Sequence, residues 1–162
     1  AVMDYPSLLL ENQICFRVYS LERAIMAAYK PLLAALGLTY PQYLVMLALW
    51  EKGESTVGGL CSVLGLDTGT MSPLLKRMES NHLVVRTRLP EDERTVLVRL
   101  TAQGIALKER ARHIPAQIGS CMFGSEDGFD PESYIQLRET LDRALVALDA
   151  RKGSLCNTTN PS

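Results

Sequence analysis

The chain has 162 residues, the usual size of one domain or a compact two-part unit, and 47% of them are apolar against 22% charged. That balance excludes wholesale disorder. The net charge of -1 excludes a chain-wide polycation, so any nucleic-acid surface must be local. The longest apolar run, Tyr43 to Trp50, is far too short to span a bilayer, and no membrane association is expected. Ala1 and Val2 ahead of Met3 read as an added dipeptide before a native start, with no secretory signal behind it, so the expected location is cytoplasmic. Cys15, Cys61, Cys121 and Cys156 form no CxxC pair and only His82 and His113 accompany them, which argues against zinc. No metal and no cofactor is expected.

From Leu8 to Leu36, Ile14, Val18, Leu21, Ile25, Ala28 and Leu32 recur at helical spacing, beside a second stripe of Cys15, Tyr19, Glu22, Met26 and Tyr29. Pro31 should bend or interrupt this helix near Lys30, and Gly37 should end it. Two adjacent apolar stripes call for more than one neighbour, and self-association is the simplest source of the second. Pro41 suits the first turn of a helix running to about Trp50, closed by Gly53. Ser55 and Thr56 offer an N-cap for a short helix with Val57, Leu60, Cys61 and Leu64 on one face. Gly65 stops it, and Leu66-Asp67-Thr68-Gly69 makes a tight turn into a helix from about Thr70 to Asn81. Two short helices joined this way predict a helix-turn-helix.

The period then changes from 3.6 to 2. Val84 to Leu89 and Val96 to Leu100 flank the polar connector Pro90 to Arg94, which predicts a hairpin, a wing. Thr101 can cap a long helix to about Ile118, kinked at Pro115. A flexible loop from Gly119 to Phe129 should follow, then a helix begun by Asp130-Pro131-Glu132 with Tyr134, Leu137, Leu141, Leu145 and Leu148 on one stripe. The tail from Arg151 to Ser162 is expected to be disordered. The predicted class is therefore mostly α with a small β-hairpin wing: a winged helix-turn-helix with a helical dimerisation layer drawn from both chain ends. The expected parts are residues 1–40 (sensor and dimerisation helices), 41–100 (winged helix-turn-helix), 101–150 (C-terminal dimerisation helices) and the tail 151–162.

Six basic side chains between residues 76 and 99 (Lys76, Arg77, Arg86, Arg88, Arg94, Arg99) face four acids (Glu79, Glu91, Asp92, Glu93), a local +2. Taken alone, so small an excess reads as a solvated face. Its position on the second helix of a helix-turn-helix and on a hairpin gives it meaning. That helix can enter a major groove with Thr68, Thr70, Ser72 and Lys76 leading, after Asp67 in the turn and with Arg77 beside them. Arg86 lies on the hairpin, and Arg94 at its tip could probe the minor groove, aimed by an ion pair with Asp92.

Cys15 alone reads as an inert core thiol. However, Tyr19 and Tyr29 share its stripe and Tyr40 follows the Pro31 bend, and phenols donating to a thiolate would favour its charged form. Fourteen helical residues put Cys15 and Tyr29 about 21 Å apart, so they could meet only across a two-fold axis. The same tyrosines read equally well as amphipathic core residues with wet hydroxyls. Cys61 reads as packing, Cys121 as a thiol on the mobile loop, and Cys156 as an incidental or second candidate. No G-x-S-x-G, P-loop, dinucleotide fingerprint or HExxH is present, so no enzyme is expected. A thiol peroxidase of the peroxiredoxin type would carry Thr where Asn12 stands.

Five segments together resemble a known family: Glu11-Asn12-Gln13-Ile14-Cys15-Phe16, Tyr29-Lys30-Pro31-Leu32-Leu33, Leu38-Thr39-Tyr40-Pro41-Gln42-Tyr43, Leu66-Asp67-Thr68-Gly69-Thr70 and Asp92-Glu93-Arg94. The chain from Leu10 to Ile118 resembles the MarR winged-helix transcription regulators, and within them the organic-hydroperoxide sensors of the oxidative stress response (OhrR-type). The resemblance implies a homodimeric repressor that binds pseudo-palindromic operator DNA when reduced. It implies that Cys15 is oxidised by organic hydroperoxide to a sulfenic acid, with the partner subunit's Tyr29 and the partner subunit's Tyr40 supporting its thiolate. In the family's two-cysteine members a second cysteine then forms an inter-subunit disulfide, and Cys121 stands in the matching region. A one-cysteine route through a small-molecule thiol is the alternative. A MarR-type repressor released by a non-covalent apolar ligand, with Cys15 merely lining the pocket, is the rival reading.

Overall fold

The computed structural model describes residues 5–125 and 128–151; the expected tail beyond Arg151, and Cys156 with it, lies outside them. The chain divides into two compact units at Ile114/Pro115.

In the first unit, two 3-10 turns, Pro6–Leu8 and Leu10–Asn12, precede the first helix, α1 (Ile14–Ala34), where a helix from Leu8 was expected. Side-chain amides explain the difference. Asn12 Nδ2 donates to Pro6 O at 2.7 Å and Gln13 Nε2 to Ser7 O at 2.6 Å, bonds that compete with helical ones. Pro31 does not interrupt α1, which runs unbroken past it. The proline sits on the exposed side, and the turn it weakens is pinned by Leu33, 2% exposed. Gly37, at φ 69°, ends the helix as expected, with Leu38 N–H donating back to Leu33 O at 3.0 Å.

Helix α2 (Tyr40–Lys52) opens with a capping box: Gln42 N–H donates to Thr39 Oγ1 and Thr39 N–H to Gln42 Oε1. It is the central element, with Tyr43, Val45, Met46, Ala48 and Leu49 all buried. A short strand, β1 (Glu54–Thr56), then leads into α3 (Val57–Leu64), capped by Thr56 and ended by left-handed Gly65. Helix α4 (Thr68–Ser80) starts two residues before the expected point. Asp67 caps it directly, accepting Thr70 N–H at 2.8 Å, so Thr68 and Gly69 are helical rather than part of a turn.

Strands β2 (Val84–Leu89) and β3 (Asp92–Leu100) pair antiparallel, with Arg86 opposite Val98 and Leu89 opposite Asp92 after a register shift. The turn is thus Pro90-Glu91, shorter than the five-residue connector expected from sequence. β1 adds to β3, giving the order β1-β3-β2. Three residues are too few to reveal a period of two, so β1 was not legible in the sequence. Helix α5 (Ala102–Ala111) is capped by Thr101 and stops where one kinked helix was expected to continue. The next helix, α6 (Ile114–Phe123), starts afresh with Pro115 at its second position, because proline fits a first helical turn but has no N–H to carry an earlier helix onward.

In the second unit α6 runs to Phe123, so the expected Gly119 to Phe129 loop is helical over its first half. A two-strand pair, β4 (Gly124–Ser125) with β5 (Gly128–Phe129), follows. Phe123, Phe129 and Tyr134 pack with ring centroids 5.5–6.4 Å apart, which holds this turn against the start of α7 (Pro131–Ala150). Asp130 caps α7 through Glu132 N–H and Ser133 N–H, as the sequence suggested. Leu141, Leu145 and Leu148 on its stripe are exposed, and no residue of α7 is buried.

Candidate functional site

Helix α4 has two faces. Met71, Leu74, Leu75 and Met78 are buried against the rest of the winged unit, while Thr68, Ser72 and Lys76 stand exposed on one i, i+4, i+8 line with Arg77 beside it. The helix is therefore anchored by one side and leaves the other exposed. Two of the expected contact residues are already engaged: Thr70 donates its hydroxyl to Asp67 Oδ2 at 3.1 Å as well as its N–H to Oδ1. These bonds hold the Asp67 carboxyl below its ordinary range. Asp67 and Thr70 build the start of the helix.

The expected Asp92–Arg94 ion pair does not form. Asp92 Oδ1 accepts the Arg94 backbone N–H at 3.0 Å and Oδ2 accepts the Thr95 hydroxyl at 2.6 Å, so both oxygens shape the turn. The Thr95 hydroxyl, and then the Arg94 N–H, keep the Asp92 carboxyl below its usual range. The arginine side chain is left to the cleft. That cleft, 380 Å³, lies between the N-terminal ends of α3 and α4 and the wing, and Thr68, Ser72, Arg86 and Arg94 line it together with Thr56, Gly58 and Thr95. Thr56, Gly58 and Thr95 were not expected here from the sequence; Thr56 was legible only as an N-cap. Arg86 is not idle there: Glu79 Oε2 accepts its Nη2 at 2.8 Å and its Nε at 3.1 Å. Among the described residues the ion pairs are Arg86–Glu79, Arg99–Glu54 and Arg112–Glu109.

Cys15 lies in the first turn of α1 and is exposed; Cys15, Cys61 and Cys121 carry free thiols. Cys61 is half-buried on α3, consistent with packing. Cys121 is exposed on α6 and not on a loop, because the helix extends through it to Phe123. Tyr19, one turn from Cys15, is 58% exposed and lies under Arg23, 5.7 Å from its ring centre. Tyr29 and Tyr40 pack at 4.9 Å, with Tyr43 5.9 and 6.4 Å away. Burial pushes the Tyr40 hydroxyl above its usual pKa, and burial followed by Tyr40 does the same for Tyr43. An apolar groove of 320 Å³ runs along Met26, Tyr29, Leu33, Leu38 and Tyr40. Cys15 is not among its walls. Because α1 is continuous, Cys15 and Tyr29 stand about 21 Å apart within one protomer.

A buried-and-exposed recognition helix preceded by a capped helix-turn, with a three-stranded wing carrying an exposed arginine, defines a winged-helix DNA-binding protein. The chain belongs to the MarR family of winged-helix transcriptional regulators, and its relatives are regulators rather than enzymes. Residues 27–111 match the family model described as transcriptional regulator SarA/Rot. The organic hydroperoxide resistance transcriptional regulator of Bacillus subtilis (strain 168) is 51% identical over 109 residues, 67% of this chain and 74% of that protein. The regulator TtmR of Methylorubrum extorquens (strain PA1) is 46% identical over 145 residues, 90% of this chain and 72% of its own length. Among solved structures, reduced AbfR bound to DNA superposes with a TM-score of 0.71 at 32% identity, covering 86% of this chain and 94% of that one. The disulfide form of AbfR gives 0.61 at 33% identity, over 84% and 92%. Among the described residues no helix is long and apolar enough to cross a membrane.

Proposed function

We propose that the chain is a redox-switched, cytoplasmic repressor: a homodimer that binds operator DNA when reduced and leaves it when organic hydroperoxide oxidises Cys15. The observation that carries this reading is the 51% identity to a regulator named for organic hydroperoxide resistance. Three more support it. Cys15 is exposed, as a thiol that must meet an oxidant has to be. The AbfR structures include a reduced DNA-bound form and a disulfide form. Ile14 and Val18 on α1, and Leu145 and Leu148 on α7, are exposed apolar side chains of the kind a second copy covers.

In the proposed switch the Cys15 thiolate attacks the peroxide oxygen, the O–O bond breaks, and the leaving alkoxide takes a proton to become an alcohol. Cys15 is left as a sulfenic acid. The thiolate of the partner subunit's Cys121 then attacks that sulfur, forming a disulfide and expelling hydroxide, which is protonated to water. Tyr29 and Tyr40 pack ring to ring within one chain, and in this switch the partner subunit's Tyr29 and the partner subunit's Tyr40 donate to the thiolate beforehand. Oxidation removes that acceptor, and rearrangement of α1 and α6 disturbs the roughly 34 Å separation that two recognition helices need to reach one face of a duplex. Thr68, Ser72, Lys76 and Arg77 serve the groove and Arg94 the wing contact.

Titration of fully reduced protein on DNA from upstream of its own gene, repeated after one equivalent of organic hydroperoxide and again after added thiol, tests the reading. Binding lost and then restored supports it; equal binding throughout overturns it. The apolar groove beside Tyr29 and Tyr40 favours a second reading, release by a small apolar ligand. In that case Cys15→Ser would leave the response intact.

A further inference from the structure

Glu79 lies in the last turn of α4 and Arg86 at the third position of β2, and three hydrogen bonds join them. Glu79 Oε1 accepts the Arg86 backbone N–H at 3.1 Å, and Oε2 accepts Nε at 3.1 Å and Nη2 at 2.8 Å. Both side chains are partly exposed, 29% for Arg86 and 38% for Glu79. β2 is an edge strand of the sheet, so the amide that Glu79 takes is on a row with no neighbouring strand. The carboxylate thus grips the wing twice, once by its backbone and once by a side chain, from the end of the recognition helix. Arg86, hydrogen-bonded to it, holds Glu79 below the ordinary carboxylate range, so the pair is ionised at neutral pH.

Two consequences follow for the cleft. A guanidinium whose Nε and Nη2 already meet a carboxylate is a poor free cation for a phosphate, although Arg86 lines the same cleft as Arg94. And the hairpin beyond Arg86 carries Arg94 at its far end, where a small rotation about the strand base becomes a large displacement of the tip. We propose that Glu79 and Arg86 are positioning residues: together they set the angle between the recognition helix and the wing so that Thr68, Ser72, Lys76 and Arg94 engage one duplex at once, and Arg86 is not itself a phosphate ligand. This rests on the operator-binding reading and is independent of the cysteine switch. A partly exposed ion pair contributes little to global stability, so its effect belongs in binding and not in the melting temperature.

Salt-dependent titrations on DNA from upstream of its own gene test this with wild type, E79A, R86A, E79A/R86A, R94A and E79A/R94A. The clamp predicts E79A and R86A each about tenfold weaker than wild type, with the salt slope lowered by about one as the Arg94 contact is lost and the melting temperature unchanged. The double variant E79A/R86A is no weaker than either single one, and E79A adds little to R94A because the wing contact is already lost. E79Q, which keeps an acceptor for the Arg86 N–H, recovers part of the loss. If instead Arg86 binds phosphate, R86A lowers the salt slope by about one where E79A does not, and E79A, by freeing Arg86, tightens binding. Either result overturns the proposal, as does an E79A variant that binds like wild type or that weakens binding equally with and without Arg94. Wild type that fails to bind at all removes the operator reading itself, a different outcome from a clamp that proves idle.

Discussion

Asp92 holds Arg94 by its backbone: the carboxylate accepts the Arg94 N–H at 3.0 Å, and the guanidinium is left to the cleft it shares with Thr68 and Ser72. The acid is a turn-former and the base an exposed cation lining the cleft. The two residues should therefore fail differently. Arg94→Ala removes one cation and is expected to lower the slope of log affinity against log salt by about one. Asp92→Ala loosens the turn but leaves the cation count alone, so it should weaken binding with the slope unchanged. Titration at four salt concentrations separates them, and identical slopes for Arg94→Ala and wild type would exclude wing contact.

The three described cysteines should separate as cleanly. Cys15→Ser is expected to bind DNA as wild type does and to ignore hydroperoxide. Cys121→Ser should still respond at first but give no disulfide-linked dimer on a non-reducing gel, and its Cys15 should pass on to the irreversible sulfinic state unless a small thiol is supplied. Cys61→Ser, altering a half-buried packing residue, should change neither. A disulfide-linked dimer persisting in Cys121→Ser would move the resolving role elsewhere.

Much of this was legible in the sequence because local physics decides it. Thr56, Thr101 and Asp130 all cap the helices their positions announced. The helix-turn-helix follows from two short helical stripes around the Gly65 turn, and the β2/β3 hairpin from the switch of period around a polar connector. What was not legible depended on partners distant in sequence or on competing short-range bonds. Glu79 gave no sign of gripping Arg86, seven residues on and across a helix-to-strand turn. The amides of Asn12 and Gln13 replaced the first helical turns by binding Pro6 and Ser7. Glycine at 119 and 124 suggested a loop around Cys121, yet Gly119 is helical and faces the Phe129 ring, so packing overrode propensity.

Acid should find the caps. Hydrogen bonds lower the pKa of three aspartates in the folded chain: the Thr70 N–H and then its hydroxyl at Asp67, the Thr95 hydroxyl and then the Arg94 N–H at Asp92, and the Ser133 side chain and then its N–H at Asp130. A folded pKa below the unfolded one means that the contribution is complete above the ordinary carboxylate value of about 4 and fades as pH falls below it. Urea midpoints are therefore expected to be flat from neutral pH to about 5 and to decline below about 4. Asp67→Asn retains an N-cap that cannot titrate and should flatten part of that decline. An identical decline in this variant would mean that the cap carries no pH dependence.

Two helical glycines should respond to alanine with opposite signs. At Gly58, on α3, a new Cβ meets nothing within 4 Å, so helix propensity decides and Gly58→Ala should stabilise by about 0.5–1 kcal/mol. At Gly104, on α5, the same Cβ would sit 2.2 Å from the Leu83 carbonyl oxygen. That carbonyl is not free to retreat, because it accepts the Thr101 N–H at 3.1 Å while Trp50 Nε1 donates to Gly104 O at 2.9 Å. Steric strain of about 1–3 kcal/mol then outweighs the propensity gain. Gly104→Ala should lower the melting temperature by several degrees where Gly58→Ala raises it by about 2–4 °C. A stabilised Gly104→Ala would show that α5 can slide away from Leu83, and that the link between α5 and the base of the wing is looser than the Trp50 and Thr101 bonds imply.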